Sequence, residues 1–226
     1  MKEKFVNLGV SHEKLVEIPN GVDIHRFKPI SSGEKLRLRR ELGFAGKRPV
    51  VFVARQTPVK GIELILEALV IARERLPNIH YIHVGREEEA SPFLTNYVKQ
   101  HQLEGHVTFA GEKTDVLPYL SSSELFVSSS YSEGLSNACL EALASGLPLI
   151  ATNTGGSREI VDPERNGYIL RRRDARELAS YLIHLLSDEN KRKSFAEASR
   201  EIATRHFSIE EMIRKYILLY SEVLAG

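Results

Sequence analysis

The sequence predicts an α/β domain, doubly wound around a mainly parallel sheet of six strands, with further helices at its carboxyl terminus. From residue 49 onward, short apolar runs alternate with longer segments in which apolar residues recur every three or four positions. The strand candidates are continuous apolar runs, which is typical of parallel strands covered on both faces. The composition, 42% hydrophobic and 27% charged, is that of an ordinary globular domain.

The predicted elements follow one another with only a few residues between them. Residues 50–54 (VVFVA) are β-branched and aromatic and predict the first strand, and apolar residues from Ile62 to Leu76 then recur with helical spacing. The later predicted strands are residues 79–84, 107–110, 125–128, 148–152 and 167–170, and the predicted helices between them are residues 92–102, 116–120, 137–144 and 158–161.

The two ends of the chain do not share this alternation. Two apolar stripes of helical period, at residues 178–186 and 209–223, predict two or three closing helices. The last stripe either covers this domain or packs against a domain absent from the sequence, and the pattern leaves both interpretations open. Near the amino terminus, residues 14–18 predict a strand and residues 33–46 a charged helix.

Proline, serine and glycine cluster at residues 29–33, which is typical of a linker. We therefore divide the chain into an interdomain segment and amino-terminal arm (1–30), a domain that carries the sheet (31–205) and a carboxyl-terminal helix (206–226).

Charge and cysteine content narrow the possible functions. Lysine plus arginine is 31 and aspartate plus glutamate 30, so a formal net charge of +1 provides no global field that would attract nucleic acid. The one cysteine, Cys139, forms no internal disulfide, which favours a cytoplasmic location. No apolar run is long enough for a membrane span. The eight histidines lack metal-ligand spacing, so we predict neither a protein-held metal nor a cofactor.

The loop after the first strand carries two cations. In an open parallel sheet, ligands bind beyond the carboxyl ends of the strands. Arg55 and Lys60 lie there, five residues apart, just before a predicted helix that starts near Gly61. An arginine fork, a lysine charge and helix amides together suit a diphosphate. The alternative, that both are solvated loop charges, stays open at this point.

The loop after the fourth strand combines carboxylates with the start of a helix. Glu133 lies in the loop and Glu141 in the helix eight residues later, so either carboxylate can accept hydrogen bonds from sugar hydroxyls. Gly134 allows close approach, and the amides of Leu135, Ser136 and Asn137 form a helix N-terminus suited to an anion. The alternatives are that Ser136 or Asn137 is a simple N-cap and that Glu141 is an exposed surface carboxylate.

Two further features have lower specificity. Gly155 and Gly156, in the loop after the fifth strand, allow a sharp turn or a close approach to a ligand. Residues 171–173 are three consecutive arginines without interleaved aromatic residues, a pattern typical of a solvated face. Contact with an anionic membrane or a partner is the alternative for this basic run.

Several motifs together resemble one known family. They are residues 55–61 (RQTPVKG), 133–141 (EGLSNACLE), 142–152 (ALASGLPLIAT) and 155–161 (GGSREIV). These resemble the carboxyl-terminal, donor-binding half of family 4 retaining glycosyltransferases of GT-B fold, whose two halves are Rossmann-like. Residues 18–27 (IPNGVDIHRF) are similar to the interdomain segment of that family.

The resemblance implies a site for a nucleotide-diphosphate sugar, of UDP or GDP type, and metal-independent sugar transfer. Arg55 and Lys60 match the family's diphosphate-binding cations and Glu133 its donor-sugar carboxylate, so these three are the catalytic candidates. Glu141 matches the ribose-binding carboxylate, and Gly134, Leu135, Ser136 and Asn137 match donor-binding positions. Gly85 and Arg86 replace the family's usual glycine and aspartate loop, where base and donor preference are set.

Length is the main departure from the family. A GT-B enzyme places its acceptor site on an amino-terminal domain of comparable size, which this sequence lacks, so we expect donor binding without efficient transfer. Two alternatives stay open: a sugar-nucleotide epimerase of the same fold, and a non-catalytic module that binds a nucleotide sugar or a partner through residues 209–223. Peripheral contact with a membrane is compatible with either.

Overall fold

Six short apolar segments form the strands of one parallel sheet. The computed structural model describes residues 2–225, and its sheet has the strand order β3-β2-β1-β4-β5-β6. The strands are β1 (Arg48–Val53), β2 (Ile79–Val84), β3 (Val107–Phe109), β4 (Leu125–Ser128), β5 (Leu149–Thr152) and β6 (Gly167–Leu170). The six-stranded parallel sheet predicted from the sequence is confirmed, with strand boundaries shifted by no more than a residue or two.

The chain order of the strands reverses between β1 and β4. These two strands are hydrogen-bonded neighbours, with Val50 opposite Leu125 and Val51 opposite Phe126. β2 and β3 extend the sheet on one side and β5 and β6 on the other. Loops that leave β1 and β4 turn in opposite directions, so a crevice opens at their carboxyl ends. The loop with Arg55 and Lys60 and the loop with Glu133, both predicted from the sequence to hold site residues, start at this point.

Ten α-helices flank the sheet or extend from its ends within the described residues. They are α1 (Lys2–Asn7), α2 (Ser32–Glu41), α3 (Ile62–Ala72), α4 (Ser91–Gln100), α5 (Leu117–Ser122), α6 (Asn137–Ala144), α7 (Ser157–Ile160), α8 (Ala175–Ser187), α9 (Glu189–His206) and α10 (Ile209–Ala225). Single 3₁₀ turns form at His12–Lys14 and Pro58–Lys60.

Side-chain caps fix the starts of three of these helices. Ser31 and Glu34 form a reciprocal capping box at the start of α2. Asp174 accepts hydrogen bonds from two backbone amides of α8, and Asp188 from one amide of α9. Each cap satisfies amides that have no acceptor within their own helix.

The core lies between the sheet and its helices. Val50 and Val51 of β1 are fully buried, as are Ile65, Leu66 and Leu69 of α3. The apolar face of α3 also packs against α8, and α6 packs against α9. Because the central strands are covered in this way, the ends of β1 and β4 are held at fixed positions.

Of two expectations for the first 48 residues, one was wrong and the other held for only part of its length. Residues 14–18 form no strand: a 3₁₀ turn ends at Lys14, and Val16 is exposed. A strand needs a neighbour for its backbone groups, and within residues 2–225 the sheet offers none to this segment. The predicted helix at residues 33–46 ends at Glu41, because Gly43 adopts a left-handed conformation with φ +79°.

The last helix contacts the arm near its start and is exposed beyond. The amide of Val22 donates to the carbonyl of Phe207, and the amide of Ile209 donates to Val22. Further along, Tyr220 and Leu224 are 63% and 87% exposed. No residue of α10 is fully buried. Within residues 2–225, no helix is both long and apolar enough to cross a bilayer.

Candidate functional site

Three loops meet at the carboxyl edge of the sheet. The cation loop (residues 55–61) follows β1, the glutamate loop (residues 129–136) follows β4, and the glycine loop (residues 153–157) follows β5. The amide of Tyr131 donates to the carbonyl of Val59 at 2.8 Å, which joins the first two loops. The hydroxyl of Thr152 donates to the carbonyl of Ser130 at 2.6 Å. The three loops therefore form one connected surface.

A cation and a carboxylate predicted for the site form an ion pair. Lys60 Nζ donates to Glu133 Oε2, and Ser130 Oγ donates to the same oxygen at 3.1 Å. Both charged side chains are largely covered, with 18% of Lys60 and 21% of Glu133 exposed. The sequence predicted both residues for the site but did not predict this contact. Lys60 is not a solvated loop charge, because most of its side chain is covered.

Arg55, the other predicted cation, has a different partner. Its Nη1 lies 3.3 Å from Glu88 Oε1, and the same oxygen accepts a hydrogen bond from Arg86 Nη2 at 2.6 Å. The hydrogen bond from Arg86 is the largest cause that lowers the pKa of Glu88 below its usual value, and the charge of Arg55 adds to it. Arg55 and Arg86 are thus brought together on one carboxylate, whereas Lys60 contacts another.

Close backbone approach explains two of the glycines. A Cβ at Gly85 would overlap the carbonyl oxygen of Ala54, so this loop passes directly over the end of β1. A Cβ at Gly156 would overlap the carbonyl oxygen of Gly134, so the glycine loop packs directly against the glutamate loop. Neither position accommodates a side chain without a backbone shift.

Glu141 lies on α6, apart from the Lys60–Glu133 pair. Its side chain is half-buried, and burial raises the pKa of its carboxyl group, with the charge of Arg26 acting in the opposite direction. Arg26 itself pairs with Asp115 at 3.0 Å. The alternative of an exposed surface carboxylate is therefore wrong for Glu141.

The start of α6 contacts the amino-terminal arm (residues 1–30) at Asn20. Ser136 is the N-cap residue, but its side chain makes no capping hydrogen bond. The side chain of Asn20 donates to Asn137 Oδ1 at 3.1 Å. Asn137 is exposed, so the first turn of α6 is open to a ligand at the edge of the sheet.

A cleft of about 660 Å³ lies between the loops and the arm. Of the predicted site residues, Glu133, Gly134 and Leu135 line it, and Gly155 and Gly156 line it from the glycine loop. Residues 15–20, Phe5 and Glu159 also line it. The cleft is large enough for a small-molecule ligand.

One residue at the site was assigned wrongly from the sequence. Arg171 matches the predicted solvated face, with its side chain 86% exposed, but Arg173 is only 27% exposed. The Arg173 guanidinium lies over the Tyr131 ring, 3.4 Å from the ring centroid, and donates to the carbonyl of Ser129. No sequence signal separates Arg173 from its neighbours, because the contact depends on the direction in which the chain leaves β6.

The chemistry available at this site comes mainly from charged side chains. Cys139 is buried, and burial raises the pKa of its thiol to about 12, so the reactive thiolate is suppressed. In the part of the chain that the structure describes, no three His, Cys, Asp or Glu side chains are grouped to hold a metal ion. The charged groups of the site are instead lysine, arginine and glutamate, which suit an anion with hydroxyl groups.

This fold and site define a Rossmann-like α/β domain with a cleft at the carboxyl edge of its sheet, and comparison with known proteins identifies its family. The model of the family "Glycosyl transferases group 1" matches residues 34–202. The chain therefore belongs to the group 1 glycosyltransferases.

Two curated relatives show the same relationship. Spore coat protein SA of Bacillus subtilis is 32% identical over 94% of this chain and 60% of its own length. A GDP-mannose-dependent monoacylated α-(1-6)-phosphatidylinositol monomannoside mannosyltransferase of Corynebacterium glutamicum is 31% identical over 89% of this chain and 55% of its own length. The chain thus spans little more than half the length of these relatives.

Solved structures agree with the fold. HepE of Anabaena, solved in complex with UDP, superposes with a TM-score of 0.92 at 25% identity, over 98% of this chain and 61% of that one. The carboxyl-terminal domain of a group 1 glycosyltransferase, LpcC of Francisella tularensis, superposes with a TM-score of 0.76 at 25% identity, over 84% of this chain and all of that one. The described chain therefore corresponds to the carboxyl-terminal half of a GT-B glycosyltransferase.

Proposed function

We propose that this chain binds a nucleotide-diphosphate sugar and supplies the donor half of a retaining, metal-independent glycosyltransferase. The observation that carries the proposal is the meeting of the cation and glutamate loops at the point where the strand order reverses, with Lys60 and Glu133 in contact. The UDP complex of the structurally similar HepE supports a nucleotide ligand, and the name of the mannosyltransferase relative supports a sugar donor.

The diphosphate would take the cations of the site. Lys60 provides a point charge, and Arg55 provides a planar fork that can bind two phosphate oxygens after it leaves Glu88. The amides of Gly134, Leu135 and Ser136 lie in the loop that leads into α6, and Asn137 is the first residue of that helix, where the helix dipole favours negative charge. These groups would provide positive charge without a metal ion.

The carboxylates would take the sugar hydroxyls. Glu133 lies at the cleft, so we assign it to the transferred sugar, and we assign the half-buried Glu141 to the ribose. A carboxylate accepts hydrogen bonds from hydroxyl groups and binds them directionally. Gly85 and Arg86 lie at the turn after β2, where we place the base.

The chemistry follows from charge. When the bond between sugar and diphosphate breaks, negative charge develops on the departing diphosphate. Lys60, Arg55 and the helix amides would stabilise that charge, which is electrostatic catalysis. The loops that carry Lys60 and the amides are joined by backbone hydrogen bonds and would hold these groups in place, whereas Arg55 would first have to leave Glu88. Retention of stereochemistry is the outcome we expect from the family.

Efficient transfer would need an acceptor domain. The curated relatives are longer than this chain, and α10 exposes apolar residues such as Ile217 and Val223 at 59% and 70%. We propose that an amino-terminal domain covers this helix face and binds the acceptor, and that this chain alone binds the donor but transfers slowly. The single cysteine favours a cytoplasmic setting for the reaction.

Nucleotide binding tests the proposal directly. Unfolding temperature is measured with UDP, GDP and ADP and with their sugar conjugates, each with magnesium and with a chelator. A ligand at about 100 times its dissociation constant adds about 2.7 kcal/mol of stability, a rise on the order of 5 °C for a chain of this size. We expect such a rise with one base, equal in magnesium and in chelator.

The matched variants are Arg55→Ala and Arg172→Ala, since Arg172 is an exposed arginine outside the three loops. The rise should shrink in the first and persist in the second. Absence of any rise in the wild type would refute donor binding by this chain, and a rise that requires magnesium would refute metal independence.

A further inference from the structure

Arg173 follows the end of β6 and lies against two loops of the site, the glutamate loop and the cation loop. Its Nη1 donates to the carbonyl of Ser129, at the start of the glutamate loop. Its Nη2 lies 3.4 Å from Glu63 Oε1, in the first turn of α3. The flat face of the guanidinium stacks on Tyr131, whose hydroxyl donates to the same Glu63 oxygen at 3.0 Å. One side chain therefore contacts three residues on two separate elements, the glutamate loop and α3.

The cation loop is shaped to admit this side chain. Gly61 adopts a left-handed conformation with φ +59°, and a Cβ there would overlap both Arg173 Nη2 and the carbonyl oxygen of Ser129. Glycine at this position leaves the space that the guanidinium occupies. Gly61 directly follows Lys60, so the space for Arg173 lies next to the backbone of the site lysine.

Two hydrogen bonds connect the segment that Arg173 holds to the backbone of Val59 and Lys60. Ser129 Oγ donates to the carbonyl of Lys60 at 2.9 Å, and the amide of Tyr131 donates to Val59. Lys60 then reaches Glu133, four residues after Ser129. A shift of the segment from Ser129 to Tyr131 would therefore move both Lys60 and Glu133.

We propose that Arg173 is a positioning residue for the diphosphate of the donor: it holds the glutamate loop against the cation loop and so places Lys60. The inference rests on the proposed function. Arginine fits this task because its planar fork donates to a carbonyl and a carboxylate while its face stacks on an aromatic ring. Arg173 itself touches no donor in this scheme and acts through Lys60.

Calorimetric titration of the whole chain with UDP and with GDP tests the inference. The proteins are wild type, Arg173→Ala, Lys60→Ala and the double variant, with Arg172→Ala as the matched control. We expect Arg173→Ala to weaken binding of the preferred nucleotide about tenfold and Arg172→Ala to change it by less than about twofold. If Arg173 acts through Lys60, the double variant binds within about twofold of Lys60→Ala.

Each outcome decides the matter. Unchanged affinity in Arg173→Ala overturns the positioning role, and so do fully additive losses, because a general structural effect would add to the loss of Lys60. Binding of neither nucleotide by the wild type overturns the proposed function and this inference with it, which separates the two failures. If Arg173→Ala does not fold, the same cycle is measured with Arg173→Lys, which keeps the charge but loses the planar fork, and we expect a smaller, still non-additive loss.

Discussion

Charged clusters lie at both ends of the parallel sheet, and they differ in what their charged groups contact. At the amino end, Glu124 contacts three arginines: Arg48 Nη2 at 2.6 Å, Arg192 Nε at 3.1 Å and Arg39 Nη2 at 3.4 Å. At the carboxyl end, Lys60 and Glu133 form a pair beside an open cleft.

Backbone contacts reinforce the amino-end cluster. Arg39 donates to the carbonyl of Ser122 at the end of α5, and Arg192 donates to the carbonyls of Leu185 and Leu186 at the end of α8. Arg39 and Arg192 thus donate to carbonyls at helix C-termini, which have no hydrogen-bond partner within their own helix. Burial alone would raise the pKa of Glu124, but the hydrogen bond and charge of Arg48, with Arg192 and Arg39, lower it below its usual value. The amino-end charges thus hold elements together, whereas those at the carboxyl end stay available to a ligand.

The largest effect that would test this contrast is on stability. Glu124→Ala leaves three arginine side chains without their shared carboxylate, in a site where only 11% of Glu124 is exposed. Removal of one partner from a buried ion network typically costs about 3–5 kcal/mol, and we expect a loss of this size in urea unfolding. Glu41→Ala removes an exposed pair with Arg37 and is the control, with an expected change below about 0.5 kcal/mol. Equal losses in the two variants would contradict the contrast.

A second test uses the excess positive charge at the amino end. Lys35 donates to the carbonyl of Ser123, and burial lowers its pKa from 10.5 to about 8, with the charge of Arg39 acting in the same direction. The unfolded chain therefore binds a proton between pH 8 and pH 10.5 that the folded chain has released, and stability rises with pH in this window.

The measurement is the free energy of unfolding across that window. Relative to Lys35→Met, the wild type should gain on the order of 2 kcal/mol between pH 8 and pH 10.5. Other groups that titrate there, including Cys139, are shared by both proteins and cancel in the difference. Lys193→Met, which removes an exposed lysine paired with Glu189, is the control and should leave the pH dependence of the wild type unchanged. If the difference between wild type and Lys35→Met does not change with pH, the pKa of Lys35 is not lowered in the folded chain.

The carboxyl end should respond in the opposite way. Lys60→Met removes a partner from a largely covered pair that borders the cleft, so we expect a loss of stability smaller than that of Glu124→Ala, on the order of 1–2 kcal/mol. Affinity for the preferred nucleotide diphosphate should fall by about 1–3 kcal/mol, because a charge-assisted contact to phosphate is lost. Lys99→Met, at an exposed position of α4, is the control for both measurements. A large loss of stability with unchanged affinity would place Lys60 in the structural class of Glu124.

The sequence predicted the strands better than the contacts between them. Local periodicity was enough for six strands, because each strand is a short buried run with its own boundaries. Residues 14–18 were assigned wrongly because local pattern does not reveal whether a neighbouring strand exists. The Glu124 cluster was missed because its arginines come from positions 39, 48 and 192, which only the fold brings together.

The same distinction applies to the site. Residues such as Lys60 and Glu133 were found from their place after strands and from the family resemblance, and their contact is observed in the structure. Their roles in donor binding stay predictions. Arg173 was missed because residues 171–173 are all arginines. Only the structure shows that Arg171 is exposed while Arg173 is largely covered.

The smallest expected effect concerns Glu88, which forms ion pairs with two arginines that we assign to donor binding. Arg55 and Arg86 both contact Glu88 Oε1, so a diphosphate must compete with this carboxylate for Arg55. Glu88→Gln keeps the shape of the side chain and removes its charge. We expect calorimetric titration to show nucleotide diphosphate binding about two- to fivefold tighter, with a gain that shrinks as salt rises. Glu89→Gln, at the exposed neighbouring position, should change affinity by less. Weaker binding in Glu88→Gln would mean that Glu88 orients Arg55 for the ligand instead of competing with it. Ion pairs at the carboxyl end would then hold side chains in place, as those at the amino end do.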